Sequence, residues 1–162
     1  ANRSLFNDRL GMAMAEAKRC RKKVGVIFLD LDNFKKVNDA MGHSAGDLLL
    51  VGAAERMRRT LRDTDTLARI GGDEFAFLFP MVEDRPEVEA VAARILEALS
   101  VPFPVEGREF VISGSLGICL FPDDGDDGQT LMKRADAAMY EAKRAGKNTW
   151  RHWTGFPCSA NG

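Results

Sequence analysis

The sequence predicts one α/β or α+β domain built around a single sheet. Its length, its apolar content and the order of its periodic segments lead to this fold class. With 162 residues and 45% apolar side chains, the chain is long enough to bury one core without disulfide or metal support. Segments with helical periodicity alternate with short apolar runs of strand length, and no internal repeat or low-complexity tract interrupts them.

The first half of the chain predicts a helix, a buried strand and a second long helix. Apolar residues recur every three to four positions over Leu5–Cys20, and basic residues follow, as they do at helix C-termini. The run Val24–Leu31 shows no polar alternation, which is typical of a central strand covered on both faces. Apolar residues share one face over Ser44–Leu61, and Ser44 with Asp47 has the spacing of a capping box.

The second half predicts a hairpin, two helices and further strands. Thr66–Ile70 and Phe75–Phe79 are apolar strands separated by the turn Gly71-Gly72-Asp73-Glu74. Pro86 lies in the first turn of a helix that reaches Leu99. The remaining elements are strands over Val101–Val105 and Arg108–Leu120, a helix over Thr130–Ala145 ended by Gly146, and a strand over Thr149–Trp153.

Charge balance and cysteine usage exclude several function classes. The chain has 23 basic and 24 acidic residues, so its formal charge of −1 predicts no nucleic-acid or anionic-membrane partner. Cys20, Cys119 and Cys158 form no C-x-x-C pair, which favours reduced thiols over a disulfide or zinc framework. No apolar run approaches the roughly 20 residues that span a bilayer. We therefore expect a cytoplasmic domain that makes no membrane contact of its own.

Four acidic residues carry the strongest chemical signal. Asp30 and Asp32 leave the buried strand, while Asp73 and Glu74 lie on the glycine turn. If the two strands are neighbours in one sheet, these carboxylates come together and form a site suited to Mg²⁺, which prefers oxygen ligands. Two such ions activate an attacking hydroxyl and stabilise a leaving phosphate. The alternative is a plain hairpin turn with solvated acids, and composition alone does not decide between them.

Three separated motifs resemble the GGDEF family. The segment Arg69–Phe75 resembles its signature hairpin. Asp30–Asp39, followed by Gly42-His43 and Gly46-Asp47, resembles its first strand and helix region, and Ala135–Asn148 resembles its closing helix. Because the motifs occur in the family's order and cover nearly the whole chain, the sequence is identified as a member of this family.

The resemblance implies both a fold and an activity. The family's fold is similar to those of nucleotide cyclases and polymerase palms, with a central, mostly antiparallel sheet flanked by helices. Residues 1–154 are then the GGDEF domain, and residues 155–162 are a C-terminal tail or linker. The implied activity is that of a diguanylate cyclase, in which two paired domains condense two GTP into cyclic di-GMP and diphosphate.

The resemblance also implies a metal site for Mg²⁺ or Mn²⁺. Asp30, the Leu31 carbonyl and Asp73 match the family's ligand positions, and Glu74 lies beside them as a further metal contact. Asp73 also takes the position of the general base for the ribose 3′-hydroxyl. The family more often has Glu at this position, and Asp is the variant for which it is named.

For the base, the resemblance points to Asn38 and Asp47. Guanine offers N1–H and N2–H₂ donors that a carboxylate accepts together, whereas adenine offers no such pair. Asp47 alone is equally typical of a helix N-cap or a first-turn acid. His43 matches a substrate-contact position, although a lone histidine before a helix is more often a local hydrogen-bonding residue.

Three lysines match positions that contact the triphosphate or the transferring phosphoryl group, namely Lys35, Lys143 and Lys147. Positive charge there offsets charge that develops on oxygen. The family commonly has Arg at position 147, whose guanidinium can form two parallel hydrogen bonds to a phosphate. The ammonium of Lys147 is a single point charge, so we expect modestly weaker GTP binding. Without the resemblance, Lys143 and Lys147 are an i,i+4 pair on a solvated helix face.

Arg62-Asp63-Thr64-Asp65 resembles the family's R-x-x-D site, where the product cyclic di-GMP binds away from catalysis. Arginine suits both phosphate and the acceptor edge of guanine. The alternative for Arg62 and Asp65 is a surface ion pair. The resemblance therefore predicts product inhibition.

Two other functions stay open from the sequence. One is a catalytically silent GTP-binding module that controls an attached EAL phosphodiesterase domain. The other is a cyclase acting within one nucleotide. The ending Lys147–Trp153 resembles GGDEF domains that continue into an EAL domain, and family members usually carry more residues upstream of Asn2. We therefore expect additional domains in the full-length protein, through which membrane attachment stays possible.

Overall fold

The computed structural model describes residues 2–155, which form five helices and seven strands. The predicted tail therefore lies outside the described residues except for Gly155. The helices are α1 (Arg3–Cys20), α2 (Phe34–Met41), α3 (His43–Arg58), α4 (Arg85–Ser100) and α5 (Gly128–Arg144). The strands are β1 (Lys23–Asp32), β2 (Thr66–Arg69), β3 (Glu74–Val82), β4 (Phe103–Val105), β5 (Arg108–Phe110), β6 (Ser113–Phe121) and β7 (Thr149–His152).

One five-stranded sheet organises the domain, in the order β2-β3-β1-β6-β7. All neighbouring strands pair antiparallel except β6 and β7, which pair parallel. The apolar run predicted as a central strand is β1, which lies in the middle of the sheet. The expected α/β (α+β) fold, with a mostly antiparallel sheet flanked by helices, is confirmed. A separate two-stranded sheet joins β4 and β5.

Helices cover both faces of the sheet because successive side chains of a strand point to opposite sides. On one face, Ile27 and Leu29 of β1 belong to a core that includes residues of α3 and α4. On the other, Val26 and Phe28 belong to a core shared with α1 and α5. This arrangement brings the C-terminal end of β1 close to α5. Within residues 2–155, no helix has both the length and the apolar character needed to cross a membrane.

Gly117 allows α5 to lie directly against β6. A Cβ atom built at this position would lie 2.0 Å from the carbonyl oxygen of Ala135 and 2.3 Å from the backbone nitrogen of Met139. Both atoms belong to the backbone of α5, so they cannot move aside as a flexible side chain does. The close approach fixes the distance of α5 from the sheet.

Some predicted boundaries are wrong. The capping box is not formed: α3 begins at His43 with Gly42 as its N-cap, and no cap hydrogen bond from a side chain is present at this end of the described helix. The strand predicted over Val101–Val105 is shorter, because α4 continues to Ser100. The strand predicted over Arg108–Leu120 is two strands, and their separation places β5 in the small sheet with β4.

Candidate active site

The pairing of β1 with β3 brings together the acidic residues that the sequence singles out. Asp30 lies opposite Glu74 in this antiparallel pair. The backbone N–H of Leu31 donates a 3.1 Å hydrogen bond to the carbonyl of Asp73. The predicted convergence of these carboxylates at the end of β1 is therefore confirmed, and the glycine turn is part of an acidic site rather than an isolated loop.

Negative charge is concentrated at this site. Burial, and then the neighbouring Asp73, raise the pKa of Asp30, while Lys143 opposes the rise. Burial likewise raises the pKa of Glu74, with Asp30 and Asp136 adding to it. The ammonium of Lys143 lies 2.9 Å from Oδ2 of Asp30 and is 26% exposed, so it neutralises part of this charge. The site favours a further positive charge.

Asp32 does not share the open position of Asp30. Its side chain is fully buried and accepts hydrogen bonds from the hydroxyls of Ser113 and Ser115, both 2.7 Å, and from the backbone N–H of Asn148, 3.0 Å. The expectation that Asp32 joins the metal-binding carboxylates is therefore wrong. Alternation along the strand places it on the same face as Asp30, but the protein already satisfies its oxygens.

With Asp32 excluded, Asp30, Asp73 and Glu74 are left as metal ligands, and they suit a metal ion that takes the rest of its coordination from substrate and water. In the described part of the chain, no three His, Cys, Asp or Glu side chains are arranged so that they could hold a metal ion by themselves. Oδ1 of Asp30, however, is buried and has no hydrogen-bond partner among residues 2–155. A buried carboxylate oxygen without a partner is costly unless a ligand satisfies it. Asp30, Asp73 and Glu74 offer the oxygen ligands that Mg²⁺ and Mn²⁺ accept.

The proposed base-binding residues lie where α2 meets α3. Oδ1 of Asn38 is buried and lacks a partner in the part of the chain that the structure describes. A Cβ built at Gly46 would lie 1.7 Å from this oxygen, so the glycine makes room for the Asn38 side chain. Asp47 follows Gly46 and is exposed, as is His43 at the start of α3. Asp47 lies beyond the first turn and does not cap the helix, so its alternative interpretation as a capping or first-turn acid is wrong.

The three predicted phosphate-contacting lysines occupy different environments. Lys35 is exposed on α2. Lys143 lies in the last turn of α5 and pairs with Asp30, so it is not part of a solvated face. Lys147 lies beyond the end of α5 with φ of 65°, so the two lysines do not form an i,i+4 helical pair.

Comparison with known proteins decides the family. The family model described as diguanylate cyclase, GGDEF domain, matches residues 1–149. The chain belongs to the GGDEF family. A curated relative, the bifunctional diguanylate cyclase/cyclic di-GMP phosphodiesterase MucR of Pseudomonas aeruginosa, is 47% identical over 149 residues. The match covers 91% of this chain and 21% of MucR, so this GGDEF chain spans about a fifth of that relative's length.

Solved structures of GGDEF domains agree with the fold. The GGDEF domain of TpbB from Pseudomonas aeruginosa superposes with a TM-score of 0.93 at 38% identity, covering 94% of this chain and 96% of that one. The GGDEF domain of DgcB from Caulobacter crescentus, solved in complex with cyclic di-GMP, gives a TM-score of 0.87 at 32% identity. That match covers 96% of this chain and 89% of the DgcB chain.

The R-x-x-D segment of this GGDEF domain forms a tight turn beside a cleft. The backbone N–H of Arg62 donates a 2.9 Å hydrogen bond to Oδ2 of Asp65, whose own N–H bonds back to the Arg62 carbonyl. Burial raises the pKa of Asp65, and Arg62 opposes the rise. The cleft has a volume of about 380 Å³, and Arg9 and Arg58 also line it. Asp63 and Asp65 line the cleft beside the three arginines, so it offers guanidinium donors for an anion together with carboxylate acceptors.

Two charged residues near the acidic carboxylates, Asp136 and Arg3, were not predicted as site residues from the sequence. Asp136 of α5 lies two helical turns before Lys143, and its pKa is raised by burial and by Asp30. Together with Arg3 and Glu74 it lines an open cavity of about 740 Å³ between α1 and α5. Asp136 and Lys143 are seven residues apart, so they lie on the same face of α5. This spacing is the feature of the sequence that could have predicted Asp136 near the site. Arg3 had no comparable pattern.

Proposed function

We propose that this GGDEF domain is an active diguanylate cyclase that condenses two GTP into one cyclic di-GMP and two diphosphates. The observation that carries the proposal is the acidic site itself, where Asp30 and Glu74 face each other across two strands beside Asp73. A buried oxygen of Asp30 without a partner supports a ligand at this point. In each condensation the ribose 3′-oxygen bonds to an α-phosphorus, and the bond from that phosphorus to the diphosphate oxygen breaks.

Asp30, the carbonyl of Leu31, Asp73 and Glu74 would hold Mg²⁺ or Mn²⁺. When bound, such an ion polarises phosphoryl oxygens and lowers the pKa of a coordinated hydroxyl. In the proposed mechanism, Asp73 accepts the proton of the attacking 3′-hydroxyl. Burial raises the pKa values of the neighbouring Asp30 and Glu74, and repulsion from nearby carboxylates adds to both shifts.

Guanine recognition is proposed for Asn38 and Asp47. The unpartnered Oδ1 of Asn38 and the exposed carboxylate of Asp47 are acceptors, and guanine presents a matching pair of donors at N1 and N2. Adenine has an acceptor at N1 and would leave both protein oxygens unsatisfied, so the proposed substrate is GTP rather than ATP. His43 is proposed as a further substrate contact at the start of the same helix.

Positive charge for the triphosphate would come from Lys35, Lys143 and Lys147. Lys143 already lies at the acidic site, where its ion pair with Asp30 orients the lysine ammonium. Lys147, in place of the commoner Arg, offers a single point charge, which predicts a modestly lower GTP affinity. These charges stabilise negative charge that builds up on the phosphoryl and diphosphate oxygens.

A second copy of the domain is required, since one site binds one GTP and two phosphodiester bonds must form. We propose that two GTP-loaded domains face each other, that the product also binds the cleft at Arg62 and Asp65, and that binding there inhibits catalysis. Further domains in the full-length protein would control this pairing. As the proposed substrate is a cytoplasmic nucleotide, we place the activity in the cytoplasm.

The test is identification of the product formed from GTP and Mg²⁺ by a forcibly dimerised domain, using mass spectrometry. Cyclic di-GMP from GTP, with no product from ATP, supports the proposal. Cyclic GMP would instead indicate a cyclase acting within one nucleotide. GTP binding without any product would favour the silent module that controls an EAL domain.

A further inference from the structure

The buried carboxylate of Asp32 connects the strand of the acidic site to the end of α5. Its side chain has 0% exposure. Oδ2 accepts hydrogen bonds from the hydroxyl of Ser113 and the backbone N–H of Asn148, and Oδ1 accepts one from the hydroxyl of Ser115. The ammonium of Lys143 lies 3.8 Å from Oδ1. All four neighbours are donors or cations, so the position suits a side chain that only accepts.

The hydrogen bond to Asn148 holds an unusual stretch of backbone. Gly146, Lys147 and Asn148 have φ angles of 117°, 65° and 50°, so three successive residues are left-handed. Side chains other than glycine adopt this conformation at a cost and keep it where the surrounding structure compels it. Three backbone N–H groups anchor this turn: that of Gly146 donates to the Lys143 carbonyl at 3.3 Å, that of Lys147 to the Ala142 carbonyl at 3.1 Å, and that of Asn148 to Asp32.

Asp32 contacts Lys143 at the end of α5 and Asn148 in the turn that follows. Each of these contacts affects the position of a lysine proposed to bind phosphate. Lys143 lies between the carboxylates of Asp30 and Asp32, at 2.9 Å and 3.8 Å. Lys147 directly precedes the residue whose N–H is bonded to Asp32. One buried side chain on β1 is thus linked to the position of both cations.

We propose that Asp32 is a positioning residue that sets Lys143 and Lys147 for the nucleotide phosphates. This inference rests on the proposed function, in which those lysines bind the triphosphate. Asp32 contacts neither substrate nor metal in this proposal and acts through the lysines alone. Asp30 is also an aspartate on the same face of β1, but its Oδ1 is buried and has no hydrogen-bond partner among the described residues.

The test compares nucleotide binding by Asp32→Asn and the unaltered chain, by calorimetry. The probe is 3′-deoxy-GTP with Mg²⁺, because it keeps the triphosphate and lacks the attacking hydroxyl. Asparagine has the same shape as aspartate, but its amide nitrogen donates hydrogen bonds and cannot accept them. The variant therefore loses at least one of the hydrogen bonds that Asp32 accepts from Ser113, Ser115 and Asn148. We expect about a tenfold weaker affinity for 3′-deoxy-GTP, a loss typical of one displaced charged contact.

A matched control separates positioning from general stability. Asp124 is also a nearly buried aspartate, beyond the opposite end of β6, where it accepts a 2.8 Å hydrogen bond from the Leu120 N–H and pairs with Arg85. Asp124→Asn should lower the melting temperature and leave the affinity for 3′-deoxy-GTP unchanged. If Asp32→Asn does not fold, Ser115→Ala removes a single donor to Asp32 and is expected to weaken binding by a smaller factor.

A double-mutant cycle tests whether Asp32 acts through Lys143. In a Lys143→Gln background, Asp32→Asn should weaken 3′-deoxy-GTP binding by clearly less than in the unaltered chain, because the two changes share one effect. Full additivity, or unchanged affinity in a folded Asp32→Asn or Ser115→Ala variant, would overturn the inference and leave the proposed function standing. Absence of 3′-deoxy-GTP binding by the unaltered chain would overturn the proposed function and this inference together.

Discussion

The ammonium of Lys143 and the carboxylate of Asp30 form a 2.9 Å ion pair between the end of α5 and the end of β1. The same cation lies 3.8 Å from the buried Asp32. One lysine therefore lies between Asp30 of the acidic site and the buried Asp32 behind it. Burial, and then repulsion from Asp73, keep the pKa of Asp30 raised even with this lysine present.

Lys143→Gln should lower the free energy of unfolding at pH 7.5 by about 1–2 kcal/mol, because it leaves both carboxylates without their cation. Without Lys143 the folded-state pKa of Asp30 rises further above its unfolded value, so proton uptake favours the folded state. The variant should therefore recover stability relative to the unaltered domain as the pH falls from 7.5 towards 4. Urea unfolding at several pH values measures this.

The control for Lys143→Gln is Arg144→Gln, which removes the neighbouring charge of α5. Arg144 pairs with Glu141 at 3.8 Å on the surface, where an ion pair contributes little. An equal loss of stability in both variants, or a Lys143→Gln deficit that does not change with pH, would contradict the assigned role of Lys143.

Gly46→Ala should disrupt the proposed guanine site. The new methyl group would lie 1.7 Å from Oδ1 of Asn38 and must displace that side chain. We expect about a tenfold weaker affinity for GTP, which corresponds to the loss of one good polar contact. Gly52→Ala on the same helix is the control, since its Cβ meets only Phe103 at 3.4 Å. Equal GTP affinities in the two variants would argue against a base contact by Asn38.

Arg62→Ala should relieve product inhibition. Arg62 lines the 380 Å³ cleft with Arg9 and Arg58, and its removal takes away one of three guanidinium groups. We expect the inhibition constant for cyclic di-GMP to rise about tenfold or more, while initial turnover stays the same. Progress curves with and without a cyclic di-GMP phosphodiesterase measure this. The exposed Arg59 provides the control variant Arg59→Ala, and inhibition lost equally in both variants would contradict the cleft assignment.

Gly117→Ala should destabilise the fold. Its Cβ would lie 2.0 Å from the backbone of α5, so helix and sheet must separate at a cost of about 1–3 kcal/mol. Gly11→Ala in α1 is the opposite case, because no described atom outside its own helix lies within 4 Å of the new methyl group. Alanine there should stabilise the domain by about 0.5–1 kcal/mol. Thermal unfolding compares the two, and a stabilised Gly117→Ala would refute the close approach of α5.

Local patterns predicted the fold class and the meeting of the acids. The unbroken apolar run of β1 implied a central strand, and a glycine turn between two strands placed Asp73 and Glu74 beside its end. The break between β5 and β6 was missed because Val111 and Ile112 continue the apolar run. The two-residue turn Glu106-Gly107, with φ of 49° and 80°, connects β5 to β4 as a hairpin, so β5 does not join the large sheet.

The different roles of Asp30 and Asp32 could not be predicted from the sequence. Both are aspartates on one face of β1, two residues apart, and local patterns treat them alike. Tertiary contacts distinguish the two residues. Asp32 accepts hydrogen bonds from Ser113, Ser115 and Asn148, which lie 81 to 116 residues away in the sequence. The role of Lys143 was obscured in the same way, since helix periodicity places it on a surface and only the sheet reveals its partner.

The most direct measurement of the proposed activity is diphosphate release by a fused dimer of the domain given GTP and Mg²⁺, with and without Asp73→Asn in both copies. We predict steady release of two diphosphates per cyclic di-GMP from the unaltered dimer. The Asp73→Asn dimer should bind GTP and release diphosphate at least about a hundredfold more slowly, as expected for loss of a general base. Equal rates from the two dimers would contradict catalysis at the acidic site.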